Sequence, residues 1–245
     1  MGQLFFLGDS ITAGSTDPGG GWAARLSARI MNENARSHMR EDHFFCFPYN
    51  LGVAGDTTKD LAKRAESEIE ARRKFDPELE AIDIICSIGI NDAHLSSKDN
   101  RPLTSVNQFR DDYETLVTVL ERTGGRILLT GLLPVDESRT NPFPWISELS
   151  SRNEHIAELE AVIKAIADEK RLDFLPLFED FSALTDYEQY LLDGLHPDEQ
   201  GHKLLADKIG KFVFTDFFFD RHKVMSDCDS QNKHNGPSGN TGPHT

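Results

Sequence analysis

Cysteine is scarce in this 245-residue chain, and long apolar runs are missing altogether. The three cysteines, Cys46, Cys86 and Cys228, are too few and too scattered for a disulfide framework or a zinc site. Cys46 and Cys86 fall in apolar runs and read as buried, inert thiols in a reduced compartment. No apolar stretch approaches the roughly 18 residues that a transmembrane helix needs. The opening MGQLFFLG lacks a basic region, its apolar stretch is too short for a signal peptide, and Phe6 stands where an N-myristoylation start needs Ser or Thr. A cytoplasmic protein without membrane insertion is the expectation. Positive charge is also short: 26 Lys and Arg against 41 Asp and Glu leave a net charge of −15. Such a balance repels nucleic acid and anionic membrane surfaces. The one dense basic cluster, Arg72-Arg73-Lys74, has glutamates on either side and reads as the end of a solvated helix.

What remains is ordinary globular material, 38% hydrophobic and 27% charged, ample for a sizeable core. Short apolar runs alternate with amphipathic stretches. Gln3–Leu7, Phe44–Leu51, Ile82–Ile88, Arg126–Gly131 and Leu172–Pro176 are continuously apolar and bounded by Gly, Asp, Asn or Pro, as strands buried on both faces are. Between them, Val106, Phe109, Tyr113, Leu116, Val117 and Leu120 recur at helical spacing, with Ser105 and Gln108 as a capping box and Gly124-Gly125 as a stop. Ile156, Leu159, Val162, Ile163 and Ile166 repeat the pattern, and Trp22–Met31, Thr58–Ala71 and Pro197–Phe214 complete the helices, with Pro197 in the first turn. Five β-then-α units in succession predict an α/β fold: three layers around a flavodoxin-like, doubly wound, parallel five-stranded sheet. No internal repeat or linker divides the chain. Residues 1–215 form the expected domain and 216–245 a C-terminal tail, disordered after about residue 225, where no aliphatic or aromatic residue remains. Leu132–Ser150, with Pro134, Pro142 and Pro144, is an elaborate loop within the domain.

In such a sheet ligands bind beyond the carboxyl ends of the strands, where the strand order reverses. Four strand-end segments therefore matter: Gly8–Gly14, Asn50–Thr57, Gly89–Asp92 and Asp193–Pro197. An imidazole working as a base needs a carboxylate on Nδ1 to hold its tautomer and stabilise its charge. Asp193 and His196 are one tight turn apart, with Gly194 allowing the bend. Ser10 is the matching hydroxyl, at the tip of a strand-to-helix turn where backbone N–H groups are free. Gly55, having no side chain, can bring its N–H close, and Asn91 offers an amide NH₂, so both suit an oxyanion. Alone, Ser10 would be no more than a helix cap, and Asp9 suits a loop-supporting role through backbone N–H groups. Asp92 fits an Asx turn or a cap of the next segment. His94, His155 and His202 lack a paired Ser and read as surface or structural residues.

These blocks, GDSITAG, NLGVAGDT, GIND and DGLHP, resemble the GDSL or SGNH family of serine hydrolases, in order and from about Leu4 to Phe214. The resemblance implies the SGNH hydrolase fold and a carboxylic ester hydrolase without cofactor or metal. It implies Ser10 as nucleophile, His196 as base, Asp193 as its orienting partner, and an oxyanion hole of Ser10 N–H, Gly55 N–H and the Asn91 side chain. Gly52 is the other glycine open to that role; the Gly-Asp-Thr run favours Gly55. The implied partner is a small-molecule ester, and the acidic balance favours a soluble, short-chain one over an anionic interface. Two further readings remain: a flavodoxin-like module binding a phosphate or cofactor in the first loop, and a non-catalytic SGNH binding protein. Asp9 would repel a phosphate, and neither reading has a use for the Asp193–His196 pair. The elbow G-x-S-x-G is absent, since Thr12 follows at the final position. Gly19–Ala24 matches G-x-G-x-x-A, but no strand leads directly into it.

Overall fold

Strand pairing sets the level of every loop that matters. In the computed structural model, which describes residues 2–37, 45–73 and 81–214, the strands are β1 (Gly2–Gly8), β2 (Cys46–Gly52), β3 (Ala81–Ser87), β4 (Leu95–Ser96), β5 (Arg126–Thr130), β6 (Leu149–Ser150) and β7 (Asp173–Leu175). Five of them form a parallel sheet in the order β2-β1-β3-β5-β7. Gly8, at the end of β1, lies level with Gly52 of β2 and Ser87 of β3. The chain thus winds outward in both directions from β1, and the switch point falls beside it. β4 and β6 make a separate antiparallel ribbon.

The helices are α1 (Ser10–Ala13), α2 (Gly21–Ser37), α3 (Thr58–Arg72), α4 (Val106–Glu121), α5 (Glu137–Thr140), α6 (Asn153–Lys170), α7 (Phe178–Ser182) and α8 (Glu199–Phe212). α2 packs on α8, while α3, α4 and α6 pack side by side, giving a three-layer α/β fold. Helices on both sides explain why β1 is apolar throughout rather than alternating: Leu4, Phe5, Phe6 and Leu7 are all fully buried. Phe6 meets Trp22 of α2 edge-on at 5.3 Å, and Phe5 stacks on Tyr49 at 5.2 Å. Cys46 and Cys86 are buried and unpaired, and burial pushes both thiols up to about 12, which removes their nucleophilic form. Among the described residues no helix is long and apolar enough to cross a membrane.

Several local expectations shift. α8 begins after Pro197, because Asp198 caps it by accepting the Gly201 N–H, while Pro197 is held in a bridge with Leu191. Ser105 does accept the Gln108 N–H at the start of α4, but the Gln108 side chain turns to Asp112 instead of closing the box. The reciprocal box forms at α3, between Thr57 and Asp60. Arg73 closes α3 without being fully solvated: its guanidinium bonds the Thr123 carbonyl at 2.6 Å. The expected tail, with Cys228 and Phe217–Phe219, lies outside the described residues, as do Lys74 and Phe44.

Replacing Phe6 by Ala removes a ring buried on β1 and is expected to cost about 3–5 kcal/mol. Leu103→Ala, at a side chain 58% exposed, should stay within about 0.5 kcal/mol. Urea unfolding of the two variants beside wild type tests the contrast.

Candidate active site

The first corner is built from β1 outward. Asp9 leaves the strand in extended conformation and caps α1, its Oδ1 accepting the Ile11 N–H at 2.9 Å. α1 is a single turn, ended by Gly14 at φ +75° with its N–H on the Ser10 carbonyl. Ser10 therefore sits at the first helical position, largely buried. The Asp9 carboxyl borders an apolar pocket with Ile11, Ile88, Ile90 and Leu132. That burial pushes it up to about 7, against the opposing Ile11 N–H and the charge of His196.

The second corner arrives from the other end of the chain. Asp193 Oδ1 accepts the N–H groups of Leu195 and His196 at 3.0 and 2.8 Å, a turn that Gly194 permits at φ +96°. Its other oxygen lies 2.8 Å from His196 Nδ1, and His196 Nε2 lies 2.9 Å from Ser10 Oγ. Ser10, His196 and Asp193 thus form one hydrogen-bonded line spanning 186 residues of sequence. Burial would raise the Asp193 carboxyl; bonds from the His196 ring and from the two N–H groups outweigh it and hold the group below its ordinary value. It stays ionised at neutral pH and can balance charge on the imidazole.

Sequence reasoning missed what secures this turn. Arg139 of α5 donates to the carbonyls of Glu188, Leu191 and Leu192 and pairs with Asp136. Thr16 Oγ1 holds the Pro197 carbonyl at 2.7 Å. His202 is wholly buried, accepts the Trp22 N–H, and is pulled down to about 4 by burial, so it ties α8 to α2 as a neutral group.

The third corner holds Gly55 and Asn91. Gly52 is engaged in packing: a Cβ there would lie 2.2 Å from Ala13 N, and its own N–H donates to Asn50 Oδ1. Gly55 instead adopts φ +84° on an exposed loop, with open space where a side chain would go. The Asn91 amide donates one N–H to the Asp56 carbonyl at 2.8 Å, which fixes the direction of the other. Asp92 reaches back 34 residues to accept the N–H and hydroxyl of Thr58 at the start of α3, rather than making a local turn.

A run of rings closes one side. His94 meets Phe143 edge-on at 5.2 Å, Phe143 lies 4.9 Å from Trp145, and Trp145 lies 6.3 Å from the His196 ring. Phe143 is buried while Trp145 and Ile146 remain about half exposed. The Leu132–Ser150 connection reaches this place because β6 pairs with β4, directly after His94.

The model of the GDSL-like lipase/acylhydrolase family matches residues 6–204. The chain belongs to that family. It is therefore placed among ester-hydrolysing enzymes. No curated protein matches it in sequence. Solved structures of GDSL-type enzymes share its fold. A lipase/acylhydrolase from Enterococcus faecalis is 24% identical over 87% of this chain and 95% of its own, with a TM-score of 0.62. A GDSL-like lipase from Bacteroides thetaiotaomicron is 19% identical over 86% and 87%, at 0.58. An acetyl xylan esterase from Geobacillus stearothermophilus is 20% identical over 86% and 94%, at 0.60.

Asp9 makes the pH dependence of this GDSL-type fold testable. Its folded pKa is raised above the unfolded value of 3.8, so folding retains a proton between about pH 4 and 7. That contribution is full at the acid end and is lost as pH rises through about 7. Asp9→Asn keeps the acceptor for Ile11 and has no proton to lose. The stability of wild type relative to Asp9→Asn should fall between pH 5 and pH 8, read as urea midpoints; parallel curves would contradict it.

Proposed function

We propose that the protein is a serine esterase that hydrolyses small, soluble carboxylic esters through an acyl-enzyme. The observation that carries the reading is the line of hydrogen bonds from Ser10 through His196 to Asp193, 2.9 and 2.8 Å long. Ser10 Oγ attacks the ester carbonyl while His196 Nε2 takes its proton, with Nδ1–H held by Asp193. The tetrahedral oxyanion is met by the N–H groups of Ser10 and Gly55 and by the free N–H of Asn91. His196 then protonates the leaving alcohol, and water, activated by the same imidazole, releases the acid and restores Ser10. No step calls for a metal or cofactor.

Trp145 stands 6.3 Å from the His196 ring and, with its exposed chain neighbour Ile146, offers apolar surface at the mouth of the site. That surface supports a short acyl chain, and the net charge of −15 disfavours an anionic interface as substrate. Buried, unpaired Cys46 and Cys86 support a reducing, cytoplasmic setting. A phosphate-binding module is less well supported, because Asp9 already occupies the Ile11 N–H that an anion would use.

Hydrolysis of p-nitrophenyl esters from acetyl to palmitoyl tests both levels. Ser10→Ala should lower kcat by about 1,000-fold or more, and Asn91→Ala by about 100- to 1,000-fold. In wild type, kcat/KM should be highest for the acetyl and butyryl esters. A steady rise toward the long chains would overturn the substrate class while leaving the mechanism intact.

A further inference from the structure

One guanidinium touches the supports of two corners of the site at once. Arg64 projects from α3 with its side chain 18% exposed. Its Nε donates to Asp56 Oδ2 at 2.7 Å, its Nη1 to the Leu51 carbonyl at 2.9 Å and to Glu68 Oε1 at 3.0 Å, and its Nη2 to the Gly8 carbonyl at 3.1 Å. Three of the four acceptors, Gly8, Leu51 and Asp56, have a place in the site. Gly8 precedes Asp9 and Ser10, and its carbonyl also receives the Val53 N–H at 3.0 Å. Leu51 lies at the end of β2. Asp56 follows Gly55, and its own carbonyl is the acceptor that orients the Asn91 amide.

We propose that Arg64 is a positioning residue for the oxyanion hole: its rigid fork sets the Gly55 N–H and the Asn91 amide relative to Ser10. The assignment rests on the esterase reading and adds to it a residue that never touches substrate. An arginine is needed because a planar group can bond three separate acceptors in fixed directions. A lysine keeps the charge but directs its donors from a single, freely turning point. Because the oxyanion exists only in the transition state and the tetrahedral intermediate, misplacing its donors lowers kcat and spares ground-state binding.

The test is Arg64→Lys, with active sites counted by a fluorophosphonate titration so that kcat refers to folded, reactive enzyme. Per titrated site, kcat should fall by about 10- to 100-fold with KM within about twofold of wild type. In an Asn91→Ala background the same substitution should cost at least about threefold less, because its effect runs largely through that amide. If Arg64→Lys does not fold, Asp56→Ala removes the side-chain acceptor that ties the fork to the Gly55 loop while keeping the backbone carbonyl that holds Asn91, and a fall in kcat in the same direction at constant KM is expected. An Arg64→Lys enzyme with wild-type kcat per titrated site, or one whose loss multiplies in full with that of Asn91→Ala, overturns the assignment alone. A wild type that neither turns over esters nor titrates overturns the esterase reading and this assignment together.

Discussion

Gly8 stands between Gly52 and Ser87 in the parallel ladder, and the rest of the site depends on that register. Parallel strands bring their carboxyl ends to one level, so the segments after β1, β2 and β3 emerge side by side although Gly8 and Ser87 are 79 positions apart in sequence. The register is held because a one-residue slip would exchange the side chains that β1 packs on its two faces, taking Phe6 away from Trp22. Leu4, Phe5, Phe6 and Leu7 contact helices on both sides and leave no polar face to expose. A reactive Ser at a strand end is therefore fixed by core packing, before any polar contact is considered.

Polar contacts then set directions. Arg139 grips the carbonyls before Asp193, Thr16 grips the carbonyl after His196, and Arg64 joins Gly8 to the loop of Gly55. These side chains occupy backbone carbonyls at strand ends and in the loops beyond them, where the chain otherwise gains its freedom. Buried titratable groups divide by surroundings. His94 and His202 are both pulled down to about 4 by burial. Burial acts on Asp193 in the opposite direction, raising it, and bonds from His196 and two N–H groups outweigh that and keep it ionised. Among the described residues, the imidazole beside Ser10 is the one histidine that combines a carboxylate partner on Nδ1 with a hydroxyl on Nε2.

Much of this is legible in the sequence alone. β1, β3 and β5 are legible because burial on both faces leaves an uninterrupted apolar run, and three of the four short blocks follow β1, β2 and β3 directly, where the fold rule directs attention; the fourth, Asp193–Pro197, lies beyond α7 instead of at the end of β7. Local rules fared less well where a tertiary partner competed. Asp198 displaced Pro197 from the start of α8, and Gln108 preferred Asp112 to the backbone of Ser105. Asp92 found Thr58, 34 residues upstream. Arg64 and Arg139 carried no signal at all: on the polar face of a helix or in a loop, an arginine that clamps carbonyls has the same one-letter pattern as one facing water. Trp145 was legible as an apolar loop residue, but its approach to His196 depends on the β4–β6 ribbon, two residues long on each side, far too short to read from alternation.

The central claim is that Ser10 is the nucleophile presented to His196. Treating wild-type protein with a fluorophosphonate and locating the adduct by peptide mass spectrometry addresses it most directly. The account predicts a single phosphonyl group on Ser10. An adduct on another residue, or ester hydrolysis that persists with Ser10 unmodified after treatment, would contradict it.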